Sequence, residues 1–196
     1  MAKLPGKGVR NREALVSAAA RLFWQKGYHA SSIADIAAEA AIPIGNIYYY
    51  FRTKADVALG VANGFVADTE DMLAEITASS ADPRKRLALV SARLGASQRS
   101  RMTYGCPVAA AMRDFRGDAP QAADRAAEVF TLISAFVAAE TGRTGVRPAL
   151  ALGTGRAAVA EWQGGIVLGL AMQDGPSVAE SARRLARILG VSESTA

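Results

Sequence analysis

The chain has 196 residues, of which 51% are hydrophobic, enough for a sizeable core in one domain or in a small domain joined to a larger one. A single cysteine and a single histidine exclude an intramolecular disulfide framework and argue against a structural zinc site. Residues 1–60 hold eight lysines and arginines against four aspartates and glutamates, so most of the net charge of +5 lies there. This distribution is typical of a DNA-binding domain beside a nearly neutral body, and a merely solvated basic face is the alternative.

The first predicted element is a helix over residues 10–26. Its apolar residues recur at helical spacing, and Gly27 ends it. Its predicted buried stripe consists of Leu15, Ala18, Ala19, Leu22 and Phe23. Residues 1–9, which contain Pro5 and two glycines, are interpreted as a flexible basic arm.

Residues 31–54 have the pattern of two short helices joined by a tight turn. Ser32 and Asp35 stand at the spacing of a capping box, which begins the first helix. Pro43 interrupts the pattern, because proline has no N–H to donate and disfavours the helical conformation of the residue before it. Ile47 and Phe51 lie four apart, on an inward face of the second helix. The remaining side chains carry groups that bind phosphates and base edges in a major groove: Asn46, Tyr48, Tyr49, Tyr50, Arg52 and Lys54.

This pattern resembles the amino-terminal domain of TetR-type (TetR/AcrR) transcriptional regulators. The resemblance covers about residues 9–60 and rests on Phe23, Gly27-Tyr28, Ile33, Ile36-Ala37, Gly45, Tyr48-Tyr49-Tyr50-Phe51 and Lys54. The turn Ile42-Pro43-Ile44 departs mildly from the valine-serine-polar turn that is commoner in the family.

The resemblance implies roles for individual side chains. The second helix would read DNA, with Tyr48 near base edges or a phosphate and with Tyr49 and Tyr50 at the DNA surface. Lys54 would open a long linking helix and bind a phosphate. The candidate DNA-contacting residues are therefore Ser32, Ile44, Gly45, Asn46, Tyr48, Tyr49, Tyr50 and Lys54.

Six further helices are predicted after the helix-turn-helix, over residues 54–77, 83–98, 108–115, 120–142, 148–173 and 177–189. Asp82 with Pro83, and Ser177 with Glu180, are expected to begin two of them. No strand pattern and no internal repeat is present, so the sequence predicts an all-α, nine-helix, two-domain fold. The predicted divisions are a basic arm at 1–9, a helix-turn-helix domain at 10–54, an effector-binding and dimerisation domain at 55–190 and a frayed tail at 191–196.

The helix over residues 148–173 contains glycines that need a reason. Gly164, Gly165 and Gly169 each cost about 1 kcal/mol relative to alanine, which close approach of a partner helix or packing within one chain would offset. The resemblance implies a partner, because family members pair through their last two helices, here 148–173 and 177–189, into a two-fold four-helix bundle. A symmetric dimer would read a palindromic operator on double-stranded DNA.

The resemblance also implies a small-molecule effector site in the larger domain. The expected lining is Phe65, Met72, Tyr104, Cys106, Met112, Phe115, Phe130, Ile133 and Trp162. Such a lining suits an apolar or amphipathic effector, although the same residues at helical spacing also form ordinary core. Cys106 precedes a predicted helix, where a thiol pKa can be lowered, so it is either a packed hydrophobe, which we favour, or a sensor of electrophiles or oxidants.

The predicted function is that of a repressor that leaves a palindromic operator when a small effector binds. Activation and constitutive architectural DNA binding are alternatives, and an all-helical enzyme is a remote one. The histidine lies in the predicted DNA-binding domain and no glycine-rich phosphate loop is visible, so we expect no catalytic residue, no cofactor and no metal. No apolar stretch approaches the roughly 18 residues of a membrane span, and the start lacks the apolar segment of a signal peptide. We therefore expect a cytoplasmic protein without membrane contact.

Overall fold

The computed structural model describes residues 6–191 of the chain. Within these residues the backbone forms nine α-helices and no strand, which confirms the predicted fold class. In chain order they are α1 (Lys7–Lys26), α2 (Ile33–Glu39), α3 (Ile44–Tyr50), α4 (Lys54–Ser79), α5 (Pro83–Ser100), α6 (Pro107–Asp114), α7 (Pro120–Arg143), α8 (Pro148–Met172) and α9 (Gly175–Ile188). Residues 1–5 of the predicted arm and 192–196 of the predicted tail lie outside the described residues.

Two helices begin earlier than the sequence indicated. Gly6 is the extended N-cap of α1, so residues 7–9, which the sequence assigned to an arm, are helical. The predicted cap of α9 at Ser177 is wrong. The carboxylate of Asp174 accepts a hydrogen bond from the Ser177 amide at 3.0 Å and caps the helix three residues earlier. Glu180 does not close a capping box there and instead accepts from Arg183 at 2.8 Å.

Contacts within the chain divide it into two compact units. The first consists of the described residues up to Ala67 together with Pro107–Glu128. The second consists of Asp68–Cys106 together with the described residues from Val129 onward. The division falls within α4 and within α7, so each of these helices contributes to both units.

The core of the first unit forms where α1 meets the segment around α6. The buried residues of α1 are those predicted from the sequence: Leu15, Ala18, Ala19, Leu22 and Phe23. Phe115, which directly follows α6, is fully buried, with its ring centroid 5.6 Å from Phe23 and 5.0 Å from Tyr28 in edge-to-face geometry. Each such ring pair adds about 0.5–1.5 kcal/mol to the gain from burial. Gly27 (φ 91°) ends α1, because glycine adopts this conformation without strain.

The core of the second unit lies between α5, α8, α9 and the later part of α7. Its large buried apolar residues include Leu87, Val90, Leu94, Ile133, Val137, Trp162, Ile166, Val178 and Leu185. Arg86 and Glu140 form a buried ion pair between α5 and α7, with Nε to Oε2 at 2.8 Å. Glu140 also accepts from Arg143. Loss of one partner of such a pair is strongly destabilising, because the other charge stays buried.

A buried polar cluster lies where α5, α8 and α9 meet. Gln98 has no exposed surface and donates through Nε2 to the Trp162 carbonyl at 3.1 Å and to Ser181 Oγ at 2.9 Å. Gly165 lies directly against this cluster. A Cβ atom built there would be 2.7 Å from Ser181 Cβ and would overlap the Gln98 amide. Gly165 is therefore required by packing within the chain.

The remaining glycines of α8 divide into two groups. A Cβ at Gly169 would lie 2.6 Å from Cγ2 of Val178 on α9, and a Cβ at Gly155 would overlap the Ser134 carbonyl oxygen of α7, so these two glycines also serve packing within the chain. Gly153 and Gly164 have nothing within 4 Å of a built Cβ. For Gly165 and Gly169, packing within one chain is thus the explanation, and approach of a partner helix is not.

Candidate nucleic-acid interface

The interface begins with a complete capping box at the start of α2, as the sequence predicted. The Ser32 hydroxyl donates to Asp35 Oδ2 at 2.6 Å and accepts from the Asp35 amide at 3.1 Å, while the Ser32 amide donates to Asp35 Oδ2 at 2.8 Å. These bonds from Ser32 lower the pKa of Asp35 below its ordinary value. The Ser32 hydroxyl, a candidate DNA contact, is engaged within the protein.

The turn between α2 and α3 consists of residues 40–43. Ala41 adopts a left-handed conformation (φ 52°), and the Ile42 amide donates to the Ala37 carbonyl at 2.9 Å. Pro43 is the N-cap residue of α3, and its carbonyl accepts from the Asn46 amide at 2.8 Å. The left-handed Ala41 thus follows the end of α2, and Pro43 begins α3.

Helix α3 is anchored on one side and open on the other. Ile47 has no exposed surface and Phe51 is 3% exposed, in agreement with their prediction as core. On the opposite side the exposed fractions are 50% for Ile44, 55% for Tyr48 and 84% for Tyr49. Gly45 and Asn46 are exposed as well. The open side combines an amide, hydroxyls and flat apolar surface, the groups that read base edges and phosphates.

Tyr50 differs from its two neighbours. It is half-buried, and its ring packs edge-to-face on Tyr49 with centroids 5.1 Å apart. The Arg12 guanidinium of α1 lies 5.2 Å above the ring of Phe51 and brings a cation to the end of α3. Through its edge-to-face contact, Tyr50 is suited to orient the ring of Tyr49, which is the most exposed of the three tyrosines.

Lys54, the first residue of α4, ties this helix to the turn before α2. Its ammonium donates to the carbonyls of Tyr28 at 2.9 Å and Ser31 at 3.1 Å, and it lies 4.2 Å from the centre of the Tyr28 ring. Lysine has three N–H donors, so one is left for an external acceptor. The sequence indicated a phosphate contact but not these internal bonds.

The predicted effector residues are divided between the two units. Phe65, Met112 and Phe115 belong to the first unit, where Phe65 and Phe115 border a cavity of only about 10 Å³. The others belong to the second unit: Met72, Tyr104, Cys106, Phe130, Ile133 and Trp162. In that unit Phe130 and Trp162 pack edge-to-face with centroids 6.0 Å apart, and Ile133 is 2% exposed. The effector site remains a prediction.

Cys106 is 6% exposed and has a charged neighbour. A guanidinium nitrogen of Arg101 lies 3.9 Å from Cys106 Sγ, and the same guanidinium lies 5.2 Å from the centre of the Trp162 ring. This arrangement is that of a packed thiol beneath an arginine.

His29 lies in the turn after α1, with Nδ1 3.5 Å from Asp118, and both side chains are largely exposed. No group of three or more histidine, cysteine, aspartate or glutamate side chains within residues 6–191 could hold a metal ion. None of the helices described is long and apolar enough to cross a membrane.

Comparison with known proteins agrees with this geometry. Residues 15–61 match the family model of bacterial regulatory proteins, tetR family. The HTH-type transcriptional repressor KstR2 of Rhodococcus jostii is 38% identical over 87 residues, which are 44% of this chain and 42% of the relative. The fatty acid metabolism regulator protein of Bacillus subtilis is 29% identical over 76 residues, 39% of each chain. The chain thus spans about two fifths of the length of these two relatives.

The likeness to solved structures extends over nearly the whole chain. A TetR-family transcriptional regulator from Streptomyces coelicolor superimposes with a TM-score of 0.80 at 19% identity, over 93% of this chain and 95% of the other. This match establishes a shared fold.

Proposed function

We propose that this chain, a TetR-type helix-turn-helix protein, binds DNA sequence-selectively and regulates transcription, with α3 in the major groove. The observation that carries the proposal is the two-sided packing of α3. Ile47 and Phe51 fix the helix on the first unit, and Asn46, Tyr48 and Tyr49 face outward. Seven residues of helix reach only a few base pairs, as expected of a recognition helix.

A homodimer would place two α3 helices on the DNA, so that two half-sites are recognised together. Gly153, Ala157, Gly164 and Leu168 of α8 are spaced by four, seven and four residues, which is one or two helical turns, so they share a single exposed face. We name these four residues the α8 stripe. Small residues let two helices approach closely, and a two-fold pair of helix-turn-helix units would fit half-sites about 34–36 Å apart. This pairing through α8 and α9 supports recognition of a palindrome.

Regulation by repression is the second part of the proposal. One relative of this chain is named a transcriptional repressor and another a regulator of fatty acid metabolism. A small molecule bound in the second unit would shift α4 and release the operator, which requires about 1–3 kcal/mol of coupling. The bonds of Lys54 to Tyr28 and Ser31 support this route, because a displaced α4 would pull on the turn before α2.

The DNA part of the proposal can be tested by selecting palindromes from a random library and titrating them at several salt concentrations. Asn46→Ala and Tyr48→Phe should change the preference between operator variants, since direct base contacts contribute about 1–3 kcal/mol of discrimination. Gln121→Ala, which removes an exposed amide from α7, is the matched control. Wild-type preference in both α3 variants would show that α3 does not read the sequence.

The dimer can be tested separately by sedimentation. Leu168→Glu places a charge in the α8 stripe and should shift the protein to monomers, because an unpaired charge is costly in an apolar interface. Leu89→Glu makes the same change at an exposed leucine of α5 and should leave the dimer intact. Equal behaviour of the two variants would contradict pairing through α8.

A further inference from the structure

A groove of about 580 Å³ runs between α7 and α8 in the second unit. Its lining includes Phe130 and Ser134 of α7 and Leu152, Arg156, Val159 and Gln163 of α8. The volume falls within the range of about 300–1,000 Å³ that is usual for small-molecule sites. Of the residues predicted to bind an effector, only Phe130 lies on this groove.

Two polar groups in this mainly apolar groove have no partner among the described residues. The Gln163 amide nitrogen is buried and makes no hydrogen bond. Arg156 forms no ion pair with any described carboxylate, since Glu140 is held by Arg86 and Arg143, and Glu161 by Arg184. Buried polar groups are nearly always satisfied, so the Gln163 amide nitrogen marks a place where an acceptor belongs. Arg156 is exposed, so its guanidinium is solvated and accessible to an incoming anion.

The two donors have a defined spacing. Arg156 and Gln163 lie seven residues apart on α8, which is about 10 Å along the helix axis and close to two full turns. They therefore lie on the same side of the helix with Val159 between them. Guanidinium groups match carboxylates, and an amide N–H donates to a neutral oxygen.

The groove differs from the α8 stripe. Gln163 and Gly164 are successive helical residues, so their directions differ by about 100°. Gln163 lines the groove beside α7, whereas Gly164 faces open space. A partner helix on the stripe would leave Gln163 and Arg156 facing the groove.

We propose that this groove binds an organic acid whose apolar body carries a second oxygen acceptor at the end away from the carboxylate. Arg156 binds the carboxylate, Phe130, Leu152 and Val159 contact the apolar body, and the Gln163 amide donates to the second oxygen. The assignment rests on the proposed function, for which it names the effector class, and it moves the effector site away from the residues expected from the sequence.

The test uses 10-hydroxydecanoate as the probe, titrated calorimetrically into the full chain without DNA. Decanoate lacks the second oxygen and 1,10-decanediol lacks the carboxylate. The hydroxy acid should bind most tightly, and Arg156→Gln should weaken it about ten- to a hundredfold. Gln163→Leu should remove the advantage of the hydroxy acid over decanoate. Arg147→Gln, at an exposed arginine outside the groove, should change nothing.

Three results would overturn the assignment: no binding of the hydroxy acid, equal binding of acid and diol, or unchanged binding by Arg156→Gln. If Arg156→Gln instead altered sedimentation of the dimer, a second copy would occupy the groove, and the assignment would again be wrong. Because the titration contains no DNA, its failure leaves operator binding intact, and loss of operator binding leaves the titration intact. The two proposals therefore fail separately.

Discussion

Gly165→Ala should destabilise the fold, because Gly165 is enclosed by the side chains of Gln98 and Ser181. The new methyl group would overlap the Gln98 amide and lie 2.7 Å from Ser181 Cβ. Both neighbours are buried, and they are joined to each other by a hydrogen bond of 2.9 Å. Neither can move without breaking that bond or separating α9 from α8.

The magnitude follows from three contributions. Overpacking of a filled core costs about 1–3 kcal/mol, and loss of the Gln98–Ser181 hydrogen bond adds about 1 kcal/mol. The better helix propensity of alanine offsets about 1 kcal/mol. We therefore expect the free energy of unfolding to fall by about 1–3 kcal/mol, which lowers the melting temperature by about 2–4 °C for each kcal/mol in a chain of this size.

The assay is urea unfolding followed by circular dichroism at a fixed protein concentration, because the proposed dimerisation would make apparent stability depend on concentration. Gly64→Ala is the control. It makes the same change inside α4, where a Cβ meets nothing within 4 Å, and should stabilise by about 1 kcal/mol. If the two variants were equally stable, the close packing of α8 on α5 and α9 would be wrong.

Three further predictions concern the first unit and the thiol. Lys54→Ala should weaken the binding of specific and non-specific DNA alike, and it should reduce by about one the slope of the logarithm of the binding constant against the logarithm of salt concentration. An unchanged slope with lower stability would mean that Lys54 only binds the carbonyls of the turn. Cys106 should react with a small alkylating reagent at least about tenfold more slowly in the native protein than in urea, because the native thiol is buried; equal rates would contradict its burial. Since its folded pKa is lowered, Asp35 contributes stability above about pH 4, and this contribution is lost as the pH falls through that lowered pKa. Asp35→Asn should therefore show less loss of α2 protection on acidification in hydrogen exchange, and identical acid profiles would refute the capping argument.

The sequence predicted those features that depend on neighbours along the chain. The buried face of α1, the capping box of Ser32 and Asp35, and the inward positions of Ile47 and Phe51 all follow from helical period or from a three-residue spacing. The start of α9 was mistaken because Asp174 and Ser177 both have capping side chains, and the pattern alone does not choose between them.

The features that could not be predicted depend on residues far apart in sequence. Lys54 bonds to carbonyls 26 and 23 residues earlier, and Gly165 is required by side chains of two other helices. The groove beside α7 was also missed, since Arg156 and Gln163 read as ordinary polar positions of a helix until α7 is placed against them. The DNA contacts of α3 remain predictions.

The first unit consists of two separate stretches of the chain, which affects how it could be transferred to another protein. The family match ends at residue 61, which invites grafting of the amino-terminal segment onto a foreign sensor. Phe115, however, fills the space between Phe23 and Tyr28 from a segment more than 40 residues further along the chain. A graft that stops at residue 61 would leave those two rings uncovered and prone to aggregation. A working chimera must therefore also carry residues 107–128 from the same parent, so that both segments of the first unit are transferred together.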